Sequence, residues 1–514
     1  MPIPLLTPVE MADWDRLTIE EFGIPGSMLM ENASREIFHV LNSHFSSLEG
    51  SNIVLFAGSG NNGGDAFALA RHLREHKAKC LVLHTRELQE YTGDTAFHLQ
   101  LAQKSDVRMM KLIGYNLESL NRPDILIDGL LGTGFHGPLR QDYQHWIEVM
   151  NRLGRNRFVL SIDIPSGLNG LTGLPEPIAV KADCTVTFEE AKRGLFMPEA
   201  CEHVGHLEIR KIGIPETIKT AHPPSAFGLT REVLQTLPVL ECSGHKGQAG
   251  RLLILGGSPG LTGAATLAGL GALRSGSGLV TVAAPEDLCP EIKQGRPDLM
   301  TRPLASGRHW TRQMLDPLQE AIQESDALII GPGMGRDPRT IEFIQALVQS
   351  QTKPTVYDAD ALFALAAEPE LLDRLSPQSI LTPHPGEMAR LCGCSPAEIQ
   401  SSRSEHIQNI VQKSGCTVIL KGAGTVVGAS KRPLFFSPFA CGNLAVGGSG
   451  DVLSGILGSL LARSMEPFAA ANAAVYWHGL AGNELRKQFP HRGNLAQEIA
   501  HTLPLCLDFF NNHA

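Results

Sequence analysis

The stretch Asn52-Ile53-Val54-Leu55-Phe56-Ala57-Gly58-Ser59-Gly60-Asn61-Asn62-Gly63-Gly64-Asp65 decides the fold. Its first six residues read as a buried strand. They run straight into a glycine-rich turn, after which Ala66-Phe67-Ala68-Leu69-Ala70-Arg71-His72-Leu73 reads as a helix. The alternation then repeats, with strand-like runs at Cys80–His84, Asp124–Asp128, Arg157–Asp163 and Cys184–Phe188. Short apolar runs separated by helices imply a parallel sheet covered on both faces. In such sheets ligands bind beyond the carboxyl ends of the strands. The strands ending at Ala57, Asp128 and Asp163 all run into Gly, Asp, Asn or Ser, which is a converging set.

A second alternating series starts later. Arg251–Leu255 leads into Gly256–Gly263 and a small-residue helix, Ala264–Leu273. Strands follow at Gly278–Ala283, Asp326–Ile330, Pro354–Tyr357, Ser379–Thr382 and Thr417–Lys421. Their loops, such as Gly331-Pro332-Gly333-Met334-Gly335 and Asp358-Ala359-Asp360, match the first half in neither order nor type. Two different α/β sheets are therefore expected. The Pro- and Thr-rich run 214–226 lacks an apolar period, which places the seam there and the domains at 1–218 and 230–514. A chain of 514 residues exceeds one ordinary core.

Composition excludes several classes of partner. The net charge is −9 and 6% of residues are aromatic, so no basic stripe with stacking rings is available for nucleic acid. No apolar run reaches membrane-spanning length. The start of the chain lacks a basic segment followed by an apolar core, so no secretory signal is read. The ten cysteines are scattered apart from Cys392-Gly393-Cys394, a poor zinc signal. A reduced, cytoplasmic protein is the expectation.

The run Gly448-Ser449-Gly450-Asp451 opens an apolar helix-like stretch. Backbone N–H groups of a glycine turn at a helix start make an anion site. A carboxylate beside them can take a proton from a hydroxyl as the anion is attacked. No Walker A pattern occurs, so phosphoryl chemistry would use this turn, with Lys421 and Gly422-Ala423-Gly424-Thr425 as a further platform. Each motif alone also fits a structural turn, and Asn62 and Asp128 also fit ordinary caps.

In order, His245-Lys246-Gly247, Gly256-Gly257-Ser258, Gly331-Pro332-Gly333, Asp358-Ala359-Asp360-Ala361, Pro383-His384-Pro385-Gly386-Glu387, Lys421-Gly422 with Thr425, and Gly448 to Asp451 resemble the ribokinase-like ADP-dependent NAD(P)H-hydrate dehydratases. The resemblance spans about 240 to 505. It implies a ribokinase-like α/β domain, with ADP as co-substrate, Mg2+ at the phosphates and Asp451 as catalytic base. It also implies Lys421 to Thr425 with Gly450 at the nucleotide, and Ala265, Gly333, Gly335, His384 and Asp451 at the hydrate. A small-alcohol or vitamin-precursor kinase on the same fold is the alternative.

The first half is similar to the NAD(P)H-hydrate epimerases over roughly 8 to 215. The similarity rests on Leu29 to Ala33, Gly58 with Asn61 to Asp65, Asp128 to Gly134, Asp163 to Gly167 and Lys192 to Gly194. It implies a Rossmann-like three-layer sheet and a potassium ion at Asn62, Asp128 and Ser166. Hydrate contacts are implied at Asn61, Asn62, Gly63, Gly64, Asp65, Gly132, Thr133, Gly134, Phe135, His136, Gly137, Pro138 and Asp163. Asp163 is the candidate acid/base, and Glu31 and Asn32 are expected to close over the site. Ala66 stands where the family has glycine, which would strain a positive φ. Together the two resemblances imply repair of hydrated nicotinamide cofactors: exchange of R and S hydrates, then ADP-dependent dehydration with release of AMP and phosphate. The substrates would be the NADH and NADPH hydrates, and a homo-oligomer is admissible. A binding or regulatory role for the first domain is the non-enzymatic alternative; Asp65, Asp128 and Asp163 argue against it.

Overall fold

Apolar residues alternate along the Asn52–Ala57 strand between two cores. Ile53, Leu55 and Ala57 join one cluster with helix residues such as Ile37, Leu41 and Leu69. Val54 and Phe56 join another with Trp146, Ile147 and Met150. A strand points successive side chains to opposite faces, so both faces of this sheet are covered. The computed structural model describes residues 2–117, 120, 123–135, 137–239 and 249–507. His136 and the His245-Lys246-Gly247 motif lie outside the described residues.

One unit spans Ile3–Ala226 and the other begins at Phe227. In the first unit the strands lie in the order Arg108–Lys111, Lys79–His84, Asn52–Ala57, Ile125–Gly129, Phe158–Ile162, Cys184–Phe188 and His206–Arg210, every pair parallel. The order reverses between Asn52–Ala57 and Ile125–Gly129. At such a switch point the following loops part and leave a crevice. A shorter parallel pair, Leu5↔Ala191 and Leu6↔Lys192, brings the amino-terminal segment beside Lys192. The next helix, Pro8–Leu17, is closed by a reciprocal Thr7–Glu10 cap and buries Met11, Trp14 and Leu17.

The second unit repeats the same order of parallel strands. Met300–Pro303, Leu279–Ala284, Arg251–Leu255, Ala327–Ile330, Thr355–Tyr357, Ile380–Leu381 and Thr417–Leu420 are parallel. Val426–Gly428 and Leu434–Phe436 continue the sheet antiparallel. Reversal here falls between Arg251–Leu255 and Ala327–Ile330. The α/β class expected from the alternation holds in both units. Among the described residues no helix is long and apolar enough to cross a membrane.

Two local expectations are corrected. The first helix of the glycine motif starts at Asn61, not Ala66, so Asn61 to Asp65 form its first turn. Ala66 is therefore an interior helical residue without a positive φ, and alanine there carries no strain.

Helices Thr262–Arg274 and Ser449–Ala462 pack backbone to backbone through glycines. A Cβ on Gly455 would stand 2.1 Å from the Ala268 carbonyl oxygen, and one on Gly271 2.6 Å from that of Val452. Helix propensity alone would favour Gly455→Ala by about 1 kcal/mol. The collision is with backbone that cannot yield, so overpacking wins. Gly455→Ala is expected to destabilise the second unit by about 1–3 kcal/mol, read as a lower midpoint in urea unfolding.

Candidate active sites

Asn61 and Asn62 line two adjacent cavities in the first unit. The larger, about 530 Å³, lies between Ser59–Asn62 and Leu130–Phe135, with Pro138, Arg140 and Tyr143 completing its wall. Thus Gly132, Thr133, Gly134, Phe135 and Pro138 gather where the switch point predicts a ligand. Gly63, Gly64 and Gly137 line neither cavity. A Cβ on Gly63 would come within 2.0 Å of the Gly58 carbonyl oxygen, so that glycine lets the helix start sit on the preceding turn.

The smaller cavity, about 130 Å³, is acidic: Asp15, Asp65, Asp94 and Asp163 line it, with the ammonium of Lys192. Asp163 follows its strand at φ 61, a left-handed backbone unusual for a side chain larger than glycine. The cost is offset by its partners. Its Oδ1 accepts from the Thr187 hydroxyl at 3.1 Å and is ion-paired with Lys192. Lys192 is 1% exposed and also donates to the Phe188 carbonyl at 3.0 Å. Burial, with Asp163 and Asp15 nearby, pushes the Asp65 carboxyl well above the usual carboxylate range, Lys192 opposing. Burial likewise raises Asp15 to about 6.

Glu31 and Asn32 do not close over this cavity. Glu31 pairs with Arg71 and lies 3.0 Å from His72, while Asn32 donates to the Ile212 carbonyl at 2.8 Å. Their helix, Gly26–His44, presents Leu29, Met30 and Ala33 to the cavity instead.

Beneath the cavities, Asp128 is fully buried. It accepts from the hydroxyls of Ser161 and Ser166 and from the Ser166 N–H at 2.8 Å. The Asn62 amide nitrogen donates at 2.8 Å to the carbonyls of both Leu131 and Ile162. Asn62, Asp128 and Ser166 therefore meet, together with two main-chain oxygens. With the amide turned, its oxygen would complete an all-oxygen set of the kind a hard cation takes.

In the second unit a cavity of about 610 Å³ opens at the start of Ser449–Ala462. Gly448, at φ 92, turns the chain into this helix. The Ser449 N–H donates to the Val446 carbonyl at 3.2 Å, which leaves the N–H groups of Gly450 and Asp451, without an intrahelical partner, open to an anion. Lys421, Gly422, Ala423 and Thr425 form the neighbouring wall, and Phe439, Leu444, Val446 and Leu453 an apolar one. Gly424 does not line the cavity; Arg403 donates to its carbonyl at 3.2 Å and holds the loop.

Asp451 lines this cavity, where burial and then Asp358 raise its carboxyl to about 7, Lys421 opposing. Lys421 is paired with Asp358 at 2.7 Å, and the other Asp358 oxygen accepts from Ser454 at 2.6 Å. Hence Asp358 stays below the usual carboxylate range even though burial opposes it. His384 stands at the cavity mouth and caps Pro385–Cys392: its Nδ1 accepts from the Gly386 N–H at 3.0 Å, and Glu387 lies 3.3 Å from Nε2. Ala265, Gly333 and Gly335 are not on the cavity wall. They gather one loop away, where the Gly335 N–H donates to Asp360 at 2.8 Å.

Motif reading quoted Lys192, Asp358 and Glu387 without giving them a role, and passed over Asp15, Ser454 and His478. Asp15 and Lys192 complete the acidic cavity. Asp358, Ser454 and Glu387, the last raised by burial to about 7, surround Lys421. His478, buried and held neutral, braces Ser449 at 3.1 Å. Among the described residues no group of three His, Cys, Asp or Glu side chains is arranged for a metal.

Comparison with known proteins assigns both units. A family model described as NAD(P)H-hydrate dehydratase matches residues 252–505, and one described as YjeF-related protein N-terminus matches 26–194. The bifunctional NAD(P)H-hydrate repair enzyme Nnr of Moorella thermoacetica is 37% identical over 98% of this chain and 96% of that protein. Its Escherichia coli namesake is 33% identical over 95% and 91%. A solved ADP/ATP-dependent NAD(P)H-hydrate dehydratase from Bacillus subtilis, co-crystallized with ATP/Mg2+, is 32% identical, covering 54% of this chain and 96% of that one at a TM-score of 0.45. End-to-end identity of this extent, with both family matches in tandem, leaves one conclusion: the chain belongs to the bifunctional NAD(P)H-hydrate repair enzymes and carries an epimerase and a dehydratase.

Proposed function

We propose that residues 230–514 dehydrate the S hydrate using ADP and that residues 1–218 interconvert the R and S hydrates. The observation supporting the dehydratase reading is the raised Asp451 carboxyl in the cavity at the glycine-turned start of helix Ser449–Ala462. A hydrate hydroxyl is a poor leaving group. Asp451 would take its proton while the oxygen attacks the terminal phosphorus of ADP, giving AMP and a phosphate ester. Phosphate then leaves with the C–O electron pair, a ring proton is lost and the reduced ring is restored. The N–H groups of Gly450 and Asp451 would stabilise charge on the moving phosphoryl group. Lys421 and Gly422 to Thr425, with Gly450, would hold the nucleotide, and His384 the hydrate. Gly333, Gly335 and Ala265 would enter only where the hydrate reaches past Asp360.

Mg2+ would supply charge neutralisation at the phosphates. It keeps several waters and needs few protein ligands, and Asp358 and Asp451 line the cavity to supply oxygens. In the first unit Asp163 would be the acid/base group, with potassium held by Asn62, Asp128 and Ser166.

Three outcomes test this reading. Asp451→Asn should lower dehydration by roughly 100-fold or more while epimer exchange stays at its original rate; loss of both activities would refute the division of labour. As a base, Asp451 works only when ionised, so dehydratase kcat/KM should fall as pH drops through about 7. A flat profile from pH 5 to 8, or no recovery of reduced-cofactor absorbance with either ADP or ATP, would sink the mechanism. Removal of K+ should slow epimer exchange, with recovery on adding K+ back.

A further inference from the structure

The acidic cavity holds more carboxylates than a single acid/base group requires. Asp65 is 6% exposed and lines the cavity, yet among the described residues it accepts no hydrogen bond. Its neighbours come from separate elements. Asp163 ends a central strand, Lys192 follows from the segment paired with Leu6, and Asp15 projects from helix Pro8–Leu17. That helix lies before the span 26–194 matched by the family model. It is anchored by Trp14, 1% exposed, whose indole donates to the His222 carbonyl at 2.9 Å. Met11 and Asp15 stand one helical turn apart and both reach the cavity. Asp94 is otherwise engaged. Its carboxylate lies against the start of helix Gly26–His44, so close that a Cβ on Gly26 would be 2.2 Å from it.

We propose that Asp65 is the general acid of the epimerase and the ion-paired Asp163 its general base, with Asp15 a positioning residue that keeps the proton on Asp65. This rests on the epimerase reading of the first unit and specifies its chemistry. Water added to an enamine ring places the hydroxyl on the carbon next to nitrogen. Asp65 gives its proton to that hydroxyl, the C–O bond breaks and water leaves with the bonding pair. The nitrogen lone pair forms a C=N bond, so the ring becomes an iminium cation. Water then adds to the other face and gives its proton to Asp163, and the C=N pair returns to nitrogen. One proton has left Asp65 and one has reached Asp163; its return resets the site, and no outside reagent is needed. The surrounding negative charge also suits a cationic ring. Asp163, Asp15 and Asp94 are the carboxylates around Asp65, Lys192 is the cation, and Glu189 stands behind Asp15.

The full chain is assayed for R-to-S exchange by chromatography, with each variant checked for an unchanged melting profile. Asp65→Asn should lower kcat roughly 100-fold or more with little change in KM. Asp15→Asn should move the alkaline limb of the kcat profile to lower pH, because removing a nearby negative charge lets Asp65 ionise sooner. An altered structure without this coupling would scale the rate and leave the limb in place. If Asp163→Asn abolishes exchange while Asp65→Asn keeps more than a tenth of it, the acid assignment fails and the epimerase reading stands. An unmoved limb in Asp15→Asn overturns the role of Asp15. If the unaltered protein exchanges no epimers, the epimerase reading itself falls.

Discussion

Each unit sets one lysine against one buried aspartate at the carboxyl end of its parallel sheet, and the chemistry proposed for both sites leans on those pairs. Lys192 meets Asp163 in the first unit and Lys421 meets Asp358 in the second. Burying an ion pair costs several kcal/mol per ion, and removing one partner costs about 3–5 kcal/mol. Such pairs are a poor way to stabilise a fold. Here each supplies a single positive charge to a site crowded with carboxylates. One carboxylate takes the cation, and burial pushes its neighbours toward the neutral form: Asp65 and Asp15 in the first unit, Asp451 and Glu387 in the second.

The sheet topology explains why the charges collect there. Every parallel strand of a unit delivers its next residue to the same edge, and at the switch point the loops diverge enough to admit a ligand. Asp163 and Asp358 both occupy the position just after a central strand. Asp163 holds φ 61, and Ala359, the residue after Asp358, φ 48. Backbone departures of this kind cost about 1–3 kcal/mol each, and both coincide with the lysine–aspartate pairs.

The central strands were legible because they are buried on both faces and read as unbroken apolar runs, as in Asn52–Ala57 and Arg251–Leu255. Edge strands were not, since Arg108–Lys111 and His206–Arg210 are half-exposed and carry charged ends, and the interior strand Leu434–Phe436 is too short to show a period. Glycine–acid motifs located both sites, but they carry no information about what folds over them. Ser454 reaches Asp358 across 96 residues, and Lys192 reaches Asp163 across 29. Asp15 left a faint local signal, since it shares a helix face with Met11 one turn away. His478 left none, because a histidine in an alanine-rich helix looks like ordinary core.

The two sites face one chemical difficulty, the expulsion of hydroxide from a carbon beside nitrogen, and their architectures suggest different remedies. A proton from a buried carboxylic acid is sufficient where water is to return, because the step is reversible and nothing is consumed. It also imposes a constraint. An iminium ring that loses a proton from the adjacent carbon becomes the reduced cofactor, so a site that only exchanges epimers must keep its base directed at water. An aspartate fixed by Lys192, Thr187 and a left-handed backbone has little freedom to wander toward that carbon. A site meant to finish the dehydration needs expulsion that does not reverse. In the proposed mechanism phosphoryl transfer would provide it, and the second unit has its raised carboxyl at a glycine-turned helix start rather than inside a small acidic chamber.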